Sequence, residues 1–86
     1  MNFMFKKYSS FGIVTKNIMT DPDLTLQAKG LYAILCTYAN KQRQCYPSLN
    51  TLSDISNKSV SQVSSYIKEL KSKGYLIRVG KVITLR

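Results

Sequence analysis

Between Ser48 and Gly74 the sequence writes two helix starts and two helix stops, with only about three residues separating one helix from the next. The second start is the more explicit. Ser59-Val60-Ser61-Gln62 is a capping box, in which the Ser59 hydroxyl can accept from the Gln62 amide while the Gln62 side chain reaches back to the Ser59 amide. Val63, Ile67 and Leu70 then recur at helical spacing and give one buried stripe. Lys68, Lys71 and Lys73 suit the negative pole of the helix dipole, and Gly74 is a natural residue for the left-handed position past the end. Upstream, Pro47-Ser48 opens a shorter helix over about residues 49–56, with Leu49, Leu52 and Ile55 on one face. Ser56-Asn57-Lys58 is a tight polar turn, in which Asn57 can take the left-handed conformation that most residues avoid. Short helix, tight turn and helix together make a helix-turn-helix unit.

The flanking segments complete a domain around it. Asp21-Pro22-Asp23 is a turn, and Thr25 offers an N-cap for a long helix over about residues 25–40. Ala28, Leu31, Leu35 and Tyr38 mark its expected buried face, while Gly30 implies close approach of another backbone. Asn40 to Tyr46 is a polar loop. Past Gly74, Tyr75 to Val79 and Val82 to Leu85 are β-prone runs around Gly80-Lys81, the glycine placed where a type II′ hairpin needs it. The expected fold is mainly α with a small β-hairpin: a winged helix-turn-helix, three helices plus a C-terminal wing, over residues 15–86. Residues 1–14, rich in Phe, Met and Tyr, form an arm or strand.

Thirteen Lys and Arg stand against four acids, a net charge of +9 spread along the chain rather than gathered in a tail. A folded basic face is answered most directly by a nucleic acid. Catalysis finds no footing: there is no His, the carboxylates Asp21, Asp23, Asp54 and Glu69 are scattered, and no Gly-rich phosphate loop occurs. Cys36 reads as a small core residue and Cys45 as a free thiol in a loop, with a disulfide between them left open. Without His these two cysteines make no metal site, and no cofactor or small-molecule ligand is expected. The longest apolar run, Leu31 to Cys36, is far below the roughly 20 residues of a membrane span, so a cytoplasmic location is the default expectation.

If Val63, Ile67 and Leu70 face inward, the 100° helical step turns Ser61, Ser65, Lys68 and Ser72 outward, with Gln62 and Ser64 at the flanks. Small hydroxyls let a helix approach base edges, and Gln can hold adenine through two hydrogen bonds. Ser61, Gln62, Ser64 and Ser65 are therefore the expected base contacts of a recognition helix over about residues 60–73, and Lys58, Lys68, Lys71, Arg78 and Lys81 the expected phosphate contacts. The expected partner is double-stranded DNA. One helix reads few base pairs, so a homodimer on a palindrome is expected, with the arm Phe3 to Phe11 either as its contact or as a cover over the core.

Leu24-Thr25-Leu26-Gln27-Ala28-Lys29, the step Tyr46-Pro47-Ser48, and the run from Ser59 through Val63, Ile67 and Leu70 to Gly74-Tyr75-Leu76-Ile77 carry a resemblance. Over roughly residues 12–79 the chain resembles the N-terminal winged helix-turn-helix domains of phage and plasmid replication proteins, DnaD-like replisome organisers among them, a module also found in small transcriptional regulators. Gln62 stands where such domains often have Thr, and Asn57 where they often have Gly. The resemblance implies a transcriptional regulator of a mobile element, or alternatively the origin-binding domain of a replication initiator. A winged helix that docks a protein is a third reading, from another class.

Overall fold

The computed structural model describes residues 13–86, so expectations for the arm at Phe3 to Phe11 lie outside the described residues. Seven elements follow one another: α1 (Lys16–Met19), α2 (Leu26–Tyr38), β1 (Gln44–Cys45), α3 (Leu49–Ser56), α4 (Val60–Ser72), β2 (Leu76–Val79) and β3 (Val82–Leu85). The strands form an antiparallel sheet in the order β1-β3-β2. Mainly helical, with a hairpin wing closing a helix-turn-helix, this is the winged helix-turn-helix expected.

Local chemistry sets the helix ends. Thr25, Ser48 and Ser59 each adopt extended backbone and accept from the amide three residues on, so each start has a side-chain cap. Asn57 sits at φ 59°, the left-handed stop that lets α3 end and α4 begin within three residues. Gly74, at φ 78°, closes α4 in a Schellman motif: its amide donates to Lys71 O and that of Tyr75 to Leu70 O. In the hairpin Gly80 alone of the two turn residues has positive φ, as a type II′ turn demands, and Val79 pairs with Val82 across it.

The core lies between α2, the α3–α4 pair and the sheet. Ala28, Leu31, Tyr32, Leu35 and Cys36 of α2 meet Leu52, Val63, Ile67 and Leu70 from the helix-turn-helix and Leu76, Ile83 and Leu85 from the wing. Four expectations are corrected. The long helix stops at Tyr38, which is 45% exposed, and Tyr32 is buried in its place because its hydroxyl is claimed from both sides. That hydroxyl donates to the Arg86 carbonyl and accepts from Arg43 Nη2 at 3.2 Å. Among the described residues no other element's backbone approaches Gly30: a Cβ there would meet nothing within 4 Å. Ile55 is 48% exposed because the short helix turns only Leu52 fully inward.

Cys45 is the fourth correction. It belongs to a strand rather than a loop, because Gln44 and Cys45 pair with Thr84 and Ile83 and add a third strand to the hairpin. Cys45 is buried there, and both thiols are free. Burial pushes the Cys36 thiol above its ordinary value despite Arg43 nearby, and pushes Cys45 up to about 11. No helix among the described residues is long and apolar enough to cross a membrane.

Candidate nucleic-acid interface

With Val63, Ile67 and Leu70 buried, the residues expected to face outward on α4 do so: Ser61, Gln62, Ser64, Ser65, Lys68, Lys71 and Ser72 are all exposed. Ser61, Ser64, Ser65 and Lys68 line one shallow groove with Leu49 and Val60. A second groove, of about 550 Å³, runs between the wing and the start of α3, lined by Tyr46, Ser48, Asn50, Arg78 and Lys81 among others. Leu49 and Val60 belong to both, so the two grooves are one continuous surface from Lys68 to the wing. Arg78 and Lys81, distant in sequence from the recognition helix, are thereby brought to the same face as its serines. Lys71, seven residues after Ser64 on α4, lies on that side of the helix too.

Electrostatics divides the molecule. Neither groove has an acidic lining residue. Three of the four carboxylates gather instead at the far end of α4. Glu69 accepts from the Thr25 amide and hydroxyl at 2.7 and 3.0 Å. Asp21 and Asp23 pair with Lys73 at 3.2 and 3.5 Å. Asp21 also accepts from the Tyr75 hydroxyl and from the Asp23 amide, and these bonds hold its carboxyl below the usual range. Lys73 is therefore structural. Lys58, Lys68, Lys71, Arg78 and Lys81 carry no ion pair among the described residues, which leaves their charge available to an outside anion. No helix longer than one turn has an acid in its first turn, although an acid there would favour the helix dipole. A carboxylate at the start of α3 or α4 would lie on this face and repel phosphate.

Two expected contacts sit differently from the rest. Gln62 is exposed, but its Oε1 accepts from the Ser59 amide at 3.0 Å, so a two-bond grip on adenine would cost the capping box. Its side-chain NH₂ makes no hydrogen bond among the described residues. Lys58 lines neither of these grooves; it rims an apolar hollow beside Gly30, Ile34, Ile55 and Tyr66. Arg43, one of the thirteen cations, is committed inward to Ile13 O, Tyr32 and Cys36. Sequence reasoning missed Tyr46, Ser48 and Asn50 on this face. The signal was present in Tyr46-Pro47-Ser48, whose proline and cap start α3 where the wing faces it. Among the described residues no group of His, Cys, Asp or Glu gathers as metal ligands would.

No curated protein and no solved structure matches the chain. A protein-family comparison does match, over residues 23–76, from the turn before α2 to the first residue of β2. That span holds α2, α3 and α4 whole, and it speaks for the helix-turn-helix and for neither a replication nor a regulatory role. On the strength of that match the chain belongs to a family of helix-turn-helix domains, whose ordinary partner is DNA.

Proposed function

We propose that this protein binds duplex DNA in a sequence-specific manner, with α4 in the major groove and the wing along the backbone. One observation carries the reading: an acid-free surface joins the serines and Lys68 of α4 to Arg78 and Lys81 of the wing. Ser61, Ser64 and Ser65, with the free amide nitrogen of Gln62, meet base edges, while Lys68, Lys71, Arg78 and Lys81 meet phosphates. Lys58, on the turn before α4, reaches a flanking phosphate. The wing turn is only two residues long, so it positions the protein and reads nothing.

Two copies acting on a palindrome fit the dimensions of the domain. Its shorter extents, 27 and 24 Å, let neighbours sit about 34 Å apart on one face of the duplex. The role we assign is transcriptional regulation by operator occupancy. Its attribution to a mobile element rests on the resemblance to phage and plasmid proteins, and origin recognition by a replication initiator would use the same surface.

Selection of bound duplexes from a random pool, followed by affinity against salt, tests the proposal. The expected result is an enriched, two-fold-related motif whose log affinity falls with log salt at a slope of about −4 to −5 per five or so phosphates. Absence of enrichment with a flat salt response would overturn it in favour of a protein-docking winged helix. Mapping the bound sites to promoters or to an origin separates the two roles.

A further inference from the structure

We propose that Leu49 and Val60 together form a thymine-methyl reader at the centre of the DNA-facing surface. The inference rests on the DNA-binding reading above and names what the facing base must offer. Leu49 and Val60 are the side chains shared by the α4 groove and the wing groove. Each is the first residue of its helix, directly after the caps Ser48 and Ser59. Leu49 is half-buried against the core, and Val60 is 38% exposed.

Nothing local asks for valine there. A β-branched residue is a mediocre helix former, and the first turn of a helix favours acids and hydroxyls. Burial does not explain it either, since more than a third of Val60 remains in water. Polar side chains border it on several sides, Ser61 and Ser64 along α4, Ser48 and Asn50 on α3, Arg78 and Lys81 beyond, while Leu49, Tyr46, Pro47 and Ile83 continue its apolar surface toward the wing. An apolar patch bordered by cations and hydroxyls complements a polyanion that presents one apolar group. The major groove has one such group, the C5-methyl of thymine, and an apolar side chain is its natural contact. Cytosine offers an amino donor and no methyl at the corresponding position, so the pair should discriminate A·T from G·C without a hydrogen bond.

The experiment takes the full chain and its best duplex from random-pool selection, and remakes that duplex with deoxyuridine for thymine, singly and throughout. Removing one contacted methyl should weaken wild-type binding roughly three- to tenfold, by analogy with one buried CH₂. Most of the loss should fall on one thymine per half-site. Val60→Ser, which removes both methyls and leaves a residue suited to a first helical turn, should lose most of the preference for the thymine duplex, whereas Val60→Thr, which keeps one methyl, should retain part of it and checks that shape and folding are kept. Equal wild-type affinity for the two duplexes would overturn the inference and leave the DNA-binding proposal standing. Full thymine preference in Val60→Ser would also overturn it, by placing the methyl contact elsewhere. Failure to bind any duplex at low salt would overturn both.

Discussion

The carboxylate of Glu69, on α4, grips Thr25 across 44 residues of sequence, one oxygen on the amide and the other on the hydroxyl. Thr25 is meanwhile the N-cap of α2, accepting from Ala28 at 3.1 Å. One side chain therefore starts the long helix and anchors α4 to it. Glu69→Ala should cost about 1–2 kcal/mol, since charge-assisted hydrogen bonds are worth more than neutral ones and this pair is partly solvated. Thr25→Ala removes the cap as well and should cost at least as much. Denaturant unfolding of both variants and the double mutant should show clear non-additivity, and additive losses would mean that the pair is not coupled.

The cluster at Asp21 makes stability depend on pH in a defined direction. Its carboxyl is held below the ordinary 3.8 by hydrogen bonds from Tyr75 and Asp23 and by Lys73. A depressed acid stabilises the fold fully above its unfolded value and loses that contribution as pH falls through the folded one. Tyr75 and Lys73 are raised above 10.0 and 10.5, chiefly by their bonds to Asp21, so their contribution holds below those values and is lost as pH rises through the folded ones. Unfolding midpoints should be flat between about pH 5 and 9 and fall on both sides. Asp21→Asn should lower the plateau and flatten the acid limb, and Tyr75→Phe should soften both.

Glycines at two places should respond to alanine with opposite signs. Gly30 lies exposed within α2, and its would-be Cβ meets nothing within 4 Å. Gly30→Ala should stabilise by about 0.5–1 kcal/mol, the helix-propensity difference. Gly74, at φ 78°, should cost about 1 kcal/mol on the same change, because an L side chain is strained there even in open space. Thermal unfolding of the two variants gives the signs directly.

Those residues also show what was legible before any coordinates. Thr25, Ser48, the Ser59–Gln62 box, Asn57, Gly74 and Gly80 act within four residues of themselves, so their chemistry stands in the sequence and places every described element but α1 and β1. What depends on distant partners does not stand there. Tyr32 rather than Tyr38 is buried because Arg43 and the Arg86 carbonyl claim its hydroxyl. Cys45 becomes a strand residue only once Ile83 lies beside it. Helical angle alone predicted the outward face of α4. Its continuation to Tyr46 and Asn50 needed the wing to fold back over α3, and the hydrogen bond that commits Gln62 Oε1 narrows what that residue can read.

The thiols offer a sharp test of the third strand. With Cys45 raised to about 11, only about one molecule in a thousand carries that thiolate at pH 8. Burial adds a steric barrier for both cysteines. A disulfide-exchange reagent should label two thiols promptly in guanidinium and neither at a comparable rate in native buffer. Rapid native labelling of Cys45 would show that β1 does not pair with β3.

Positioning and reading should separate between Lys81 and Ser65. Lys81 is exposed in the wing turn with no acidic partner among the described residues, lining the groove that faces α3. It is too near the sheet to enter a groove of DNA deeply, so it should meet phosphate. Lys81→Ala should weaken every duplex alike and make the salt slope shallower by about one unit. Ser65 projects from the middle of the outward face of α4, beside Ser61 and Lys68. Its hydroxyl makes no intramolecular hydrogen bond among the described residues, whereas Ser72 is spent on the Glu69 carbonyl. Ser65→Ala should cost on the order of 1 kcal/mol on the preferred duplex and little on random DNA, with the salt slope unchanged. Affinities of both variants for the two duplexes at two salt concentrations make the comparison. Equal weakening of both duplexes by Ser65→Ala, or no effect on either, would mean that α4 meets DNA by another face.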